Sequence, residues 1–373
     1  MMGLHSAPIF PIFCLTFLVL GLLINLLQAV LFITVPKTLF RKLNYYLVYG
    51  IHGYLLSLGD WWSGNKVKIY CNEELQEKIK KREVQEHALF LMNHHTELDW
   101  LYSWMMGDRL GILGNCRAFA KDPLKFIPIV GWSWAMSEMV FLSRGNLDKD
   151  QTTIKEKLKN HSEFPSPVWL LIFPEGTRFT AEKLQASQEF ATKSGLPLLE
   201  HHLTPRTKGF SFVVEHVDRD KFRAVYDVTL VEGGSAPFNV TSLIQGRSCI
   251  GNVYVRRISL DDIPNDQEES SAWLHNLYKE KDELKHNFLI TGNFTKDCTF
   301  VEPPRSLASL VLLVSSNLVV QIPLLYSIVM GGWIVKAVVL LLGAISMVAM
   351  KVIGDSTKIA KSSKYGGNNN KTQ

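Results

Sequence analysis

The stretch Asn93-His94-His95-Thr96-Glu97-Leu98-Asp99 comes directly after the short apolar run Ala88-Leu89-Phe90-Leu91-Met92, and this junction decides the fold. The apolar run reads as a buried strand. The polar residues after it mark a strand-to-helix turn, with Thr96 a candidate N-cap and Asp99 in the first turn of the helix. The turn can fold His94 back towards Asp99. A carboxylate on one imidazole nitrogen fixes the tautomer and leaves the other nitrogen free to take a proton. That is a general base with no serine or cysteine nucleophile beside it. Taken alone, a His and an Asp near a helix start are more often a satisfied hydrogen-bond pair. His94, His95, Glu97 and Asp99 are also potential metal ligands. Adjacent histidines rarely converge on one ion, however, and no second His/Cys cluster at ligand spacing accompanies them, so no metal is expected.

A second stretch sharpens the reading. Pro167-Val168-Trp169-Leu170-Leu171-Ile172-Phe173 is another apolar strand pattern, and it ends in Pro174-Glu175-Gly176-Thr177-Arg178. Gly176 permits a tight turn, and Arg178 offers a planar fork of donors suited to phosphate. An arginine after a glycine turn says little alone. Two such motifs in this order, about eighty residues apart, are far more specific.

Asn-His-x-x-x-x-Asp followed by Glu-Gly-Thr-Arg resembles the glycerolipid acyltransferases, specifically the 1-acylglycerol-3-phosphate O-acyltransferases. Two further blocks agree. Lys121-Asp122-Pro123-Leu124-Lys125-Phe126-Ile127-Pro128, Gly131-Trp132 and Val140-Phe141-Leu142-Ser143-Arg144 resemble the family's second motif region. Leu203-Thr204-Pro205-Arg206-Thr207-Lys208-Gly209-Phe210 resembles its fourth. The Pro-Arg-Thr-Lys-Gly-Phe form, with Asp60-Trp61-Trp62 upstream, looks like the longer eukaryotic branch with several membrane segments. The resemblance covers roughly residues 10 to 355. Departures are small: His95-Thr96 stands where many members carry another polar residue and Ser, and Glu138 lies where simpler members often carry Gly.

Composition is consistent with this. The chain has 373 residues, 47% of them hydrophobic, and a formal net charge of +5. A mildly basic, apolar-rich protein suits an anionic membrane surface. No basic stripe interleaved with aromatics points to nucleic acid. The five cysteines, Cys14, Cys71, Cys116, Cys249 and Cys298, obey no ligand spacing; reduced thiols facing the cytosol are expected.

Along the chain, residues 1–35 read as an N-terminal membrane anchor. Ala7 to Val35 is nearly continuous apolar sequence broken by Asn25 and Gln28, too long and too poor in basic residues at its start for a cleaved signal peptide. Lys37, Arg41 and Lys42 then place residues 36 onwards in the cytosol. Residues 36–65 carry Tyr45, Tyr46, Tyr54, Trp61 and Trp62, and either an interfacial helical segment or ordinary core packing fits them. Residues 66–300 form the catalytic domain, an α/β fold with a central mixed, partly parallel sheet flanked by helices. Expected strands are Lys66–Cys71, Ala88–Met92, Cys116–Ala120, Met139–Leu142, Val168–Phe173, Phe222–Val231 and Asn252–Ile258. Expected helices are Glu73–Arg82, Lys149–Lys159, Ala181–Ser194 and Asp266–Asn287. Residues 301–354 hold two apolar segments, Leu307–Val329 and Trp333–Ile353, read as a transmembrane hairpin, and residues 355–373 form a polar tail.

The resemblance implies acyl transfer from acyl-CoA to the hydroxyl of lysophosphatidic acid, giving phosphatidic acid. No metal or bound cofactor is required, acyl-CoA being a co-substrate. His94 and Asp99 would be catalytic. Arg178 would grip the acceptor phosphate, with Lys121 and Arg144 assisting. Glu175, Gly176 and Thr177 would shape the turn that presents Arg178, and Pro205 and Lys208 would lie near the substrate channel. The partners implied are acyl-CoA, the lysophospholipid and a lipid bilayer. An endoplasmic reticulum location, multi-pass with the catalytic domain in the cytosol, is expected, although no Lys-Asp-Glu-Leu-type retrieval signal is present. Other readings keep the motifs: transfer to lysocardiolipin or a lysophosphoinositide, acyl-CoA hydrolysis, or an inactive membrane scaffold.

Overall fold

The computed structural model describes residues 9–81, 85–143, 145–296 and 298–356. The chain begins with α1 (Ile9–Thr34), ended by Pro36, and α2 (Lys37–Ser57), which continues into a single π turn, Leu58–Trp62. The two helices pack on each other, and the polar exceptions in α1 explain how. Gln28 Nε2 reaches Asn44 Oδ1 of α2 at 2.7 Å and Ser133 Oγ at 3.1 Å, while Asn25 Nδ2 reaches the Ile129 carbonyl at 3.2 Å. Buried amides must find partners, and these partners fix the apolar helix against α2 and residues 129–133. From Gly50 to Ser57, α2 is buried, and Val48, Ile51, Tyr54 and Leu56 are core residues.

The domain itself opens with β1 (Lys66–Cys71), α3 (Glu73–Lys81), β2 (His87–Met92), α4 (Asp99–Arg109), β3 (Cys116–Lys121), α5 (Val130–Met136) and β4 (Val140–Leu142). Then come α6 (Leu147–Ser162), β5 (Trp169–Ile172), α7 (Ala181–Ser194), α8 (Thr207–His216), β6 (Phe222–Gly233), α9 (Val240–Ile244), β7 (Ile250–Ser259), α10 (Gln267–Thr291) and β8 (Thr299–Val301). The helix ends carry their expected chemistry. Thr180 caps α7 by accepting from Lys183 N, Asp266 caps α10 by accepting from Glu268 N and Glu269 N, and Gly195 and Gly292 close the two helices in the left-handed conformation.

The eight strands form one sheet in the order β4-β3-β5-β2-β6-β7-β1-β8. β2 lies parallel between β5 and β6, and β3 runs parallel to β4 and β5. The β6–β7 and β1–β8 pairs are antiparallel, so the sheet is mixed as expected. One apolar core lies between the sheet and α4 with α2, and a second between the other face and α6, α8 and α10.

Four details depart from the sequence reading. The helix after β2 starts at Asp99 and its N-cap position is Leu98. Thr96 lies ahead of the cap, where its hydroxyl accepts from Leu98 N at 3.0 Å and donates to Asp99 Oδ1 at 2.7 Å. Residues 207–216, which were not among the expected helices, form a helix. The edge strand β8 was unforeseen, since three residues carry too little pattern. Arg82, placed at the end of the third helix, lies outside the described residues.

Among the described residues, two helices are long and apolar enough to cross a membrane, Phe10–Thr34 of α1 and α11 (Leu307–Met330). After Gly331-Gly332 the chain returns as α12 (Trp333–Ser356), apolar over Trp333–Val348. Both α11 and α12 pack on α1. Thr16 Oγ1 donates to Asn317 Oδ1 at 2.9 Å, and Gln321 Nε2 donates to Thr16 Oγ1 at 2.7 Å, tying α1 to α11 through half-buried polar contacts. Leu318, Val319, Ile322, Tyr326 and Val329 remain exposed on α11.

Candidate active site

β2 and β5 are parallel neighbours, with Leu91 beside Ile172. The loops after them therefore leave the same carboxyl edge of the sheet, where open α/β sheets bind ligands. This brings together two motifs that are distant in sequence. The loops are then laced to each other: His94 N donates to Glu175 Oε1 at 2.9 Å, and Phe179 N donates to the His94 carbonyl at 2.8 Å. Asn93 anchors the first loop to β6, its side-chain amide exchanging bonds of 3.0 and 2.7 Å with Leu230.

His94 Nδ1 donates to Asp99 Oδ2 at 2.8 Å. The Asp99 carboxylate is buried and also receives His95 N, Thr96 N and the Thr96 hydroxyl. It is thus held rigidly, and it holds the imidazole in turn. The ring stacks on Phe173 with centroids 4.2 Å apart. With Nδ1 committed, Nε2 is left as the proton acceptor and has no partner among the described residues. Two of the other three candidate ligands, His95 and Glu97, diverge from this pair. His95 Nε2 donates to the His201 carbonyl at 2.7 Å, and Glu97 accepts from Val240 N at 3.2 Å. The metal reading of this segment is therefore not supported by its geometry.

Glu175 does not pair with Arg178. Its carboxyl is fully buried and accepts from His94 N and Leu203 N. Burial pushes it up to about 8, opposed by those two N–H groups. Gly176 sits at φ +70, a conformation that favours glycine, and a Cβ there would also press on the Arg206 side chain at 3.1 Å. Thr177 is buried and accepts from Lys183 Nζ at 3.0 Å. Arg178 is half-buried and its guanidinium has no ion pair among the described residues. Burial lowers its pKa, and Asp99 and Glu97 oppose that.

A cavity of about 330 Å³ joins these groups. His94, Lys121, Gly176, Thr177 and Arg178 line it, and Phe90, Trp100, Trp104, Trp134, Trp169 and Phe173 supply apolar walls. Trp100 and Trp104 lie one helical turn apart on α4, a spacing that was visible directly after the His–Asp motif. Arg117 also lines the cavity, and burial lowers it to about 10. Pro205 and Lys208 do not line it. Pro205 is buried in the strap whose Arg206 N donates to the Pro174 carbonyl at 2.8 Å, so it braces the Glu175 turn from behind. Lys208 is exposed at the start of α8. Arg144 lies outside the described residues.

The sequence reading missed Lys285. From α10 its Nζ lies 3.1 Å from His95 Nδ1, and it acts on Glu175, Glu232, Asp99 and Asp282. Burial and this ammonium hold the His95 imidazole well below its usual value, so it stays neutral beside the His94 base. Nothing distinguishes Lys285 from the other charges of a solvated helix pattern.

Comparison with known proteins shows the family. An acyltransferase family model matches residues 66–231, and an acyltransferase C-terminus model matches residues 242–316. The chain is 38% identical over 366 residues to 1-acyl-sn-glycerol-3-phosphate acyltransferase delta of Rattus norvegicus, covering 96% of this chain and 95% of that protein. The chain belongs to the 1-acyl-sn-glycerol-3-phosphate acyltransferase family. The human delta protein is 37% identical over the same span, with 96% and 95% coverage. The human gamma protein is 36% identical over 358 residues, covering 94% and 93%. Within this acyltransferase, Glu138 occupies a backbone conformation that glycine adopts most readily. It has φ +61, a strained conformation for a side chain, and is held there by Arg41 of α2, whose Nε donates to Oε1 at 2.8 Å.

Proposed function

We propose that this acyltransferase moves a fatty acyl group from acyl-CoA to the free sn-2 hydroxyl of lysophosphatidic acid, giving phosphatidic acid and CoA. The observation that carries the reading is the oriented His94–Asp99 pair opening on an apolar cavity that Arg178 also lines. His94 Nε2 takes the proton of the acceptor hydroxyl as its oxygen attacks the thioester carbonyl. Asp99 stabilises the imidazolium that forms. The carbon–sulfur bond then breaks, and the proton passes from His94 to the departing CoA thiolate. The substrate hydroxyl takes the place of an enzyme serine, so no acyl-enzyme forms. Arg178 binds the acceptor phosphate, with Lys121 and Arg144 assisting. The apolar walls take the acyl chain, and backbone donors stabilise the oxyanion. None of these steps uses a metal or resident cofactor.

α1 and the α11–α12 pair span the endoplasmic reticulum membrane, with the catalytic domain in the cytosol. The exposed apolar side chains of α11 support this, since lipid covers such surface without cost. The test is CoA release by the detergent-purified protein given oleoyl-CoA with and without lysophosphatidic acid, products being identified by mass. Acceptor-dependent phosphatidic acid is the expected result. Release without acceptor would make the protein a thioesterase. Faster transfer to lysocardiolipin or a lysophosphoinositide would replace the acceptor.

A further inference from the structure

Behind the catalytic loops, the chain brings together three side chains that acyl transfer does not use. Glu200 and His201 lie in the strap before α8, and His286 lies on α10. One ligand atom from each falls within 4.8 Å of the others. His201 Nε2 and His286 Nδ1 are 3.1 Å apart. Two imidazole nitrogens bound about 2.0–2.1 Å from a tetrahedral zinc would stand roughly 3.3–3.4 Å apart, close to the separation of this hydrogen-bonded pair. The Glu200 carboxylate has no partner among the described residues. His286 and Glu200 are exposed, which opens the site to solvent.

The backbone around these ligands is already fixed. Asp282, one turn before His286 on α10, accepts from Glu200 N and His201 N at 2.8 Å each, and from His202 Nδ1 at 3.0 Å. One carboxylate thus holds the strap on the same helix that carries the third ligand. It fixes the backbone that carries two of the three ligands. The sequence concealed the arrangement, because His286 lies 85 residues beyond His201.

We propose that Glu200, His201 and His286 bind a zinc-class divalent cation that clamps the strap onto α10. Two imidazoles and one carboxylate favour zinc over magnesium or calcium, which prefer all-oxygen sites. The fourth position is left to water. None of the three residues lines the cavity, so the ion has no part in the chemical step. Its effect reaches the active site through the backbone. The His201 carbonyl holds His95, and Leu203 N holds Glu175.

Zinc chloride is titrated into the full-length, chelator-treated protein in detergent, monitored by calorimetry and by thermal unfolding. The wild type is expected to bind about one equivalent at this site and to unfold several degrees higher with zinc, while magnesium chloride gives no shift. His286→Ala and Glu200→Ala should each fold normally, weaken zinc binding tenfold or more and lose the zinc-dependent shift. Zinc binding that is undiminished in both variants, or no saturable binding by the wild type, would overturn the proposal.

Discussion

Asp99 and Glu175 leave neighbouring strands at the same edge of the sheet, and both carboxyls are buried. Both accept backbone N–H groups, and both hold His94. They hold different parts of it. Asp99 takes the ring at Nδ1, while Glu175 takes the backbone N–H. Asp99 also receives a hydroxyl and two N–H groups from its own loop, so its charge is matched locally. Glu175 has two N–H donors among the described residues, and burial pushes its carboxyl up to about 8. The difference teaches that one carboxylate orients the imidazole ring that the proposed proton transfer needs, whereas the other joins two loops.

Three substitutions break or sharpen this comparison. Asp99→Asn should have the largest effect. An amide in its place puts the wrong tautomer on His94, and kcat should fall by about 10²–10⁴-fold, with the Michaelis constant for acyl-CoA little changed. Steady-state kinetics check this, and a loss under tenfold would put Asp99 on the same footing as Glu175. Arg178→Ala comes next. Removing a charge-assisted bond of about 1.5–3 kcal/mol should raise the Michaelis constant for lysophosphatidic acid by about 10–100-fold, and kcat should fall less. An unchanged constant would remove Arg178 from the acceptor site.

Glu175→Gln should affect stability more than chemistry. One of the two N–H groups loses its acceptor, at a cost of about 1–3 kcal/mol. The pH dependence is more telling. With its folded pKa raised from 4.5 to about 8, the Glu175 carboxyl keeps a proton in the folded state that the unfolded chain releases. Its contribution is therefore fully present below about 4.5 and is lost as pH rises through about 8. Unfolding midpoints across that window should fall with pH in the wild type and fall less in Glu175→Gln. Equal slopes would mean that the carboxyl is ionised throughout.

Much of the sheet and the core of the site were legible, for local reasons. The strands that flank the site are short apolar runs closed by polar turns, and their ends carry the His94 and Glu175 motifs. The hidden parts depend on tertiary contact. The helix start moved from Thr96 to Asp99, with the Thr96 hydroxyl ahead of the cap between Leu98 N and Asp99 Oδ1. Residues 207–216 became a helix because Phe210, Val213 and Val214 find the second core. Lys285, His286 and Asp282 sit in one charged helix, and only the fold shows that this helix braces the strap behind both catalytic loops. Asp60-Trp61-Trp62, read as a branch marker, proves to be a brace as well. Asp60 pairs with buried Arg109 at 2.7 Å, and the Trp61 and Trp62 indoles donate to Ser306 and Ile244 carbonyls.

The central claim is that His94 Nε2 takes the proton of the acceptor hydroxyl. Its most direct test is product formation from oleoyl-CoA and lysophosphatidic acid by His94→Ala, purified beside the wild type and shown to have the same unfolding midpoint. The account predicts that phosphatidic acid is lost by about 10²–10⁴-fold while acyl-CoA still binds. Acceptor-dependent transfer that survives in the variant would contradict it and leave the base to be found elsewhere in the cavity.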